Sequence, residues 1–205
     1  MKLVLASNNA KKLTELQALL GPLGLSLITQ GELGIPEAPE PHPSFVENAL
    51  AKARHAAQIS GMAALADDSG LCVDALGGAP GVVSARYATL FGRPKGDAEN
   101  NAVLLEQLHA HEQRSARFVS VVVAVRSAQD PEPLIAMGRW PGQILREYRG
   151  TGGFGYDPLM FIPGLNASVA ELSAELKNTH SHRAMACREL LVQMRQTWGL
   201  ADQPV

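Results

Sequence analysis

The sequence predicts an α/β fold with a mixed sheet, on three observations. The chain opens on a short apolar run, Lys2 to Ala6, followed by a polar loop and then leucines at helical spacing. Phe118 to Val125 is β-branched and almost uniformly apolar, the pattern of a strand covered on both faces of a sheet. Between residues 116 and 162 several strand-like runs follow one another with no helix between them, so the sheet cannot be uniformly parallel.

Taken in order, Lys2 to Ala6 is the first strand, and after Ser7-Asn8-Asn9 the spacing of Leu13, Leu16, Leu19 and Leu20 predicts a helix that Gly21-Pro22 stops. Leu25 to Thr29 reads as the second strand. The next connection carries Pro36, Pro39, Pro41 and Pro43, which exclude a helix and send the chain over the surface. Ser44 and Glu47 form a capping-box pattern, and the helix they start runs through Leu50, Ala53 and Ala57 towards Gly61. Ala63 to Ala66 is a short buried strand that delivers Asp67, Asp68 and Ser69 into a turn at Gly70. Leu71 to Leu76 resumes a strand before the loop Gly77-Gly78-Ala79-Pro80-Gly81. Asp97 to Leu108 is a helix, Leu134 to Trp140 and Leu159 to Ile162 are strands, and Ser168 to Glu171 and His182 to Trp198 supply late helices. Residues 1–199 read as one domain and residues 200–205 as a C-terminal tail.

With 205 residues, 46% of them hydrophobic, the chain can bury a core without covalent staples. A net charge of -2 argues against gripping polymeric nucleic acid, which depends on neutralising many phosphates. The two cysteines, Cys72 and Cys187, lack zinc or disulfide spacing, and no apolar run is long enough to cross a bilayer, so a reducing cytoplasm and no membrane are expected. His42, His55, His109 and His111 show no metal-ligand spacing.

Chemistry gathers at four places. Adjacent carboxylates at the end of a buried strand need cationic company, and a divalent metal is the obvious candidate. On extended backbone Asp67 and Asp68 point to opposite faces, so one can meet a ligand while the other turns into the scaffold. Ser7-Asn8-Asn9-Ala10-Lys11-Lys12 lies between strand and helix, where backbone N–H groups and the helix dipole favour an anion; a plain helix cap is the competing reading. Gly150 to Pro158 formally contains Gly-x-Gly-x-x-Gly. It runs into Asp-Pro and a strand instead of a helix, so it is not a dinucleotide fingerprint but a glycine segment presenting Phe154, Tyr156 and Asp157, suited to closing over a flat ligand. Ser181-His182-Arg183 opens the last helix with cations that oppose its dipole, with Lys177 a few residues upstream.

These words stand in order with Phe45-Val46-Glu47-Asn48-Ala49, Ala66-Asp67-Asp68-Ser69-Gly70, Gly77-Gly78-Ala79-Pro80-Gly81 and Ser84-Ala85-Arg86-Tyr87. Over essentially the whole chain they resemble the Ham1/RdgB-like inosine triphosphate pyrophosphatase family. Position 8 is Asn where many members carry Gly, and Ser7 replaces a frequent Thr while keeping the hydroxyl. The resemblance implies an elongated central sheet flanked by helices, with two lobes and an active-site cleft between them. It implies hydrolysis of non-canonical purine nucleoside triphosphates (ITP, dITP, XTP) to the monophosphate and pyrophosphate by a homodimer that requires Mg²⁺, with Mn²⁺ as a substitute.

By the same resemblance, Asp68 and Glu40 bind the metal, and Asp68 accepts the proton of the attacking water, with Asp67 assisting. Ser7, Asn8, Asn9, Ala10, Lys11, Lys12, Lys52 and Ser69 contact the substrate. Phe154, Gly155, Tyr156, Asp157, Lys177, His182 and Arg183 recognise the base. The physics agrees: a triphosphate brings about four negative charges that metal and lysines must offset. Lys and Arg donors suit the six-oxo group of hypoxanthine and xanthine and would leave adenine's amino group facing donors. The rival readings are a Maf-like pyrophosphatase of other modified nucleotides and a non-catalytic nucleotide-binding module.

Overall fold

The structure, a computed structural model, describes residues 1–21 and 24–200. Among the described residues seven strands form one mixed sheet: β1 (Lys2–Leu5), β2 (Ser26–Thr29), β3 (Ala64–Val73), β4 (Ser115–Val125), β5 (Leu134–Ile144), β6 (Met160–Ile162) and β7 (Ala167–Ser168), in the order β2-β1-β3-β4-β5-β6-β7. β1 is parallel to both β2 and β3, whereas β5, β6 and β7 are antiparallel neighbours. The helices are α1 (Ala10–Leu20), α2 (Phe45–Ser60), α3 (Asp97–Gln107), α4 (Ala174–His180) and α5 (His182–Trp198). Contacts divide the chain into two compact units. Met1–Asp68, Ser120–Gly138 and the chain from Ser181 onward form the first, and Ser69–Val119 with Arg139–His180 the second.

In the first unit the alternation of strand side chains separates two cores. Leu3, Leu5, Leu65, Val122 and Ala124 pack with Leu16 and Leu20 of α1 and with Ala186, Leu190 and Met194 of α5. Val4, Ala64, Ala66, Val121, Val123 and Val125 pack instead with Ala49, Ala53 and Ala56 of α2. The small alanines let α2 lie close to the strands. Ser44 caps α2, its Oγ accepting from Glu47 N, and Gly61 closes the helix at φ 67°.

In the second unit a 3-10 segment, Gly81–Phe91, packs Tyr87 and Ala88 against Val103 of α3. Ser84 Oγ accepts from Leu71 N at 2.9 Å and donates to Gly81 O at 2.6 Å. A Cβ on Gly70 would lie 2.5 Å from Gly81 O, so β3 needs glycine there for this approach.

Three expectations are corrected. The strand expected over Leu71 to Leu76 stops at Val73, and Asp74–Leu76 turns as a 3-10 segment closed by Gly77 in left-handed backbone at φ 62°. The strand expected to end at the carboxylates does not turn at Gly70: β3 continues for ten residues, with Asp67 and Asp68 inside it, because both carboxylates find cations within the first unit and need no exit to water. Ser168 to Glu171 is not an α-helix but a single capped 3-10 turn, since Leu172 returns to extended backbone. The helix α4 that follows was not anticipated. The proline-rich connection is irregular, as expected. Pro22, half of the expected helix stop, and residues 201–205 of the expected tail lie outside the described residues.

Candidate active site

Strand parity sets the two aspartates apart. Asp67 follows Leu65 onto the face covered by α1 and α5, and Asp68 follows Ala66 onto the face covered by α2. Each meets the cations that its own layer carries.

Asp67 is fully enclosed. Its Oδ2 lies 2.7 Å from Lys12 Nζ of α1 and 3.3 Å from an Arg183 nitrogen of α5, and its Oδ1 accepts from Ser120 Oγ at 2.6 Å. Burial alone would raise its pKa, but Arg183, Lys12 and the hydrogen bonds from Lys12 and Ser120 hold it well below the usual carboxylate range. Arg183, itself only 2% exposed, also pairs with Glu15 of α1. The start of α5 is placed by Ser181, whose Oγ accepts from Ala184 N at 3.2 Å, and by Gly138 of β5, where a Cβ would lie 1.9 Å from His182 O. His182 is buried at the same helix start.

Asp68 is differently supplied. Lys52 Nζ of α2 donates to Asp68 Oδ1 and to Glu40 Oε1, each at 2.7 Å, and to the carbonyl of Asp67 at 3.1 Å. One ammonium therefore gathers two carboxylates, while Asp68 Oδ2 is buried with no hydrogen-bond partner. Burial pushes the Asp68 carboxyl above its ordinary value, the neighbouring Glu40 charge adds to this, and Lys52 opposes both. For Lys52 burial works against the charge, yet Asp68 and Glu40 prevail and its pKa is raised.

The loop before α1 is a helix cap. Asn9 Oδ1 accepts from Lys11 N and Lys12 N at 3.0 and 3.1 Å, Ser7 Oγ accepts from Asn9 N at 3.2 Å, and Asn8 Nδ2 donates to Glu37 Oε1 at 3.3 Å. Two N–H groups that an anion could have used are thus held by Asn9. The exposed Lys11 stands at the helix start.

The second unit holds the aromatic segment. Asp157 Oδ2 accepts from Phe154 N and from Lys177 Nζ, both at 3.0 Å, and that ammonium lies 5.1 Å from the Phe154 ring centroid. Gly155 adopts φ 60°, and Tyr156 is buried with its hydroxyl donating to Ser84 O at 2.9 Å. Burial, with weaker contributions from Tyr87 and Asp97, raises the Tyr156 phenol and keeps it neutral. Ser69, half-buried, follows Asp68 along β3. Phe154, Gly155, Tyr156, Asp157 and Lys177 thus assemble within one unit, and Lys12, Lys52, Glu40, Asp67, Asp68 and Arg183 within the other.

No group of three or more His, Cys, Asp or Glu side chains suited to a metal exists among the described residues. The donor set nonetheless fits a hard cation: Asp68 and Glu40 supply carboxylate oxygens, and Asp68 Oδ2 lacks a partner. Cys72 is half-buried, and burial pushes its thiol up, as expected of a structural cysteine; the Cys187 thiol is pushed up to about 12, chiefly by burial.

Sequence reading missed Ser120 and Glu15. Ser120 had a signal, being the single polar residue in the apolar run from Phe118 to Val125, where a buried hydroxyl must find an acceptor. Glu15 follows two lysines on α1 and looks like a solvated helix charge.

Residues 3–193 match the model of the Ham1 family. Curated relatives include a dITP/XTP pyrophosphatase of Leptothrix cholodnii, 60% identical over 98% of this chain and 100% of its own length. Another, from Methylibium petroleiphilum, is 62% identical over 97% of this chain and 99% of its own. Among solved structures, a HAM1 protein from Coxiella burnetii superposes with a TM-score of 0.88 at 45% identity, covering 96% of this chain and 100% of that one. The fold, the motif order and these matches have one meaning: the chain belongs to the Ham1 family.

Proposed function

We propose that this protein hydrolyses non-canonical purine nucleoside triphosphates, ITP, dITP and XTP, to the monophosphate and pyrophosphate, clearing them from the nucleotide pool. The observation that carries this reading is the Lys52 ammonium gathering Asp68 and Glu40 while Asp68 Oδ2 stays buried without a partner. Relatives about 60% identical over nearly the whole chain bear the name dITP/XTP pyrophosphatase.

Asp68 and Glu40 are the residues that would hold a divalent cation, Mg²⁺ or in its place Mn²⁺. Bound there, it offsets phosphate charge and makes the α-phosphorus more electrophilic. Lys12 and Lys52 release part of their hold on the carboxylates to meet phosphate oxygens, with Ser7, Asn8, Asn9, Ala10, Lys11 and Ser69 lining the chain of phosphates. Asp68 accepts the proton of the water that attacks the α-phosphorus; the bond from that phosphorus to the bridging oxygen breaks, and pyrophosphate leaves. Asp67, held ionised by Lys12 and Arg183, keeps Lys12 in place. The base stacks on Phe154, and Gly155, Tyr156 and Asp157 shape its surroundings. The Lys177, His182 and Arg183 donors favour a six-oxo purine.

Residues 1–199 act as one pyrophosphatase domain of a cytoplasmic homodimer, with no membrane or polymeric nucleic acid as partner. The net charge of -2 supports the last point, and no helix among the described residues is long and apolar enough to cross a membrane. The test is pyrophosphate release from ITP, dITP, XTP, ATP, GTP and a modified pyrimidine triphosphate, with and without Mg²⁺. Magnesium-dependent release from the first three is expected. Preference for the pyrimidine would favour a Maf-like activity, and tight binding without turnover a binding module.

A further inference from the structure

Both backbone polar groups of Gly155 are held by one helix. Asp97 Oδ2 accepts from Gly155 N at 2.8 Å, and Asn101 Nδ2 donates to Gly155 O at 2.8 Å. The two residues stand one turn apart on α3, so their side chains leave the same helix face. Gly155 lies between Phe154 and Tyr156 in left-handed backbone, and fixing its N–H and its carbonyl fixes the directions in which both rings leave the chain. The neighbours are anchored in turn: Phe154 N on Asp157 and the Tyr156 hydroxyl on Ser84 O. Asn101 is 2% exposed, and its Oδ1 is buried with no hydrogen-bond partner. A buried amide with an orphaned acceptor is costly, and an apolar side chain would serve packing better, so the amide's value lies in the bonds its Nδ2 makes.

We propose that Asp97 and Asn101 are positioning residues that hold the Phe154-Gly155-Tyr156 platform in a base-ready conformation, so that purine discrimination depends on α3. This rests on the pyrophosphatase reading. A platform ordered before binding spares the ligand the entropy of ordering it, and that gain goes to bases whose polar groups match the fixed donors.

The test compares Asn101→Ala and Asp97→Ala with wild type, and Asp97→Asn as the conservative variant that keeps an acceptor for Gly155 N. Amide exchange at Gly155 in the ligand-free protein is expected to rise about tenfold in both alanine variants and little in Asp97→Asn. The ITP:ATP ratio of kcat/KM is expected to fall about fivefold to tenfold through KM for ITP, with kcat within about twofold. Unchanged exchange and an unchanged ratio overturn the proposal, and so does protection lost across the whole chain with kcat and KM impaired together. If wild type releases no pyrophosphate from ITP, the pyrophosphatase reading fails; faster exchange at Gly155 would then mark a structural anchor only and overturn the specificity role.

Discussion

On the α1 and α5 face of β3, Asp67 is enclosed by Lys12, Arg183 and Ser120. On the α2 face, Asp68 shares a single ammonium with Glu40 and keeps one buried oxygen without a partner. The two carboxylates are adjacent in sequence and belong to one strand, yet surplus positive charge holds the first far below its ordinary pKa while burial raises the second. Neighbouring titratable groups driven apart in this way point to separate roles, and in the proposed reaction Asp67 stays ionised and fixes the scaffold while Asp68 takes the proton and the cation.

The sharpest break of this asymmetry is Asp68→Asn, expected to lower kcat for ITP about 10³-fold with nucleotide affinity largely kept, measured by pyrophosphate release and equilibrium binding. Asp67→Ala should act on stability instead. It removes a carboxylate from the buried Arg183 and from Lys12, at a cost of about 3–5 kcal/mol by chemical denaturation. Gly138→Ala is expected to cost about 1–3 kcal/mol, because the new Cβ meets His182 O and the start of α5 has to move, and His182 and Arg183 with it.

The smallest effect has opposite signs on the two faces. Asp67, with a depressed folded pKa, stabilises the fold above about pH 4, so the deficit of Asp67→Asn is full at neutral pH and closes as pH falls through that folded value. Asp68, with a raised pKa, favours folding only when protonated. Asp68→Asn should therefore match or exceed wild-type stability at pH 7, and that difference should vanish below about pH 4. Denaturant midpoints of both variants between pH 3 and pH 8 would show it.

Much of this was legible in the chain. The period-two alternation that sends Asp67 and Asp68 to opposite faces, the Ser44 cap and the leucine spacing of α1 are local signals, and the structure keeps them. The continuation of β3 through its carboxylates was not legible, because it depends on cations from α1, α2 and α5 that are distant in sequence. Nor was the role of Gly138, an isolated glycine in a strand whose meaning appears only when α5 lies against it. Asp97 and Asn101 looked like ordinary helix residues, since their partner is a backbone group more than fifty positions away.

The most direct measurement is the magnesium dependence of pyrophosphate release from ITP by wild type and by Asp68→Asn. A saturating rise with Mg²⁺ in wild type and a flat, near-zero response in the variant is the predicted result. Wild-type magnesium-dependent turnover in Asp68→Asn would contradict the assignment of cation and proton transfer to the α2 face.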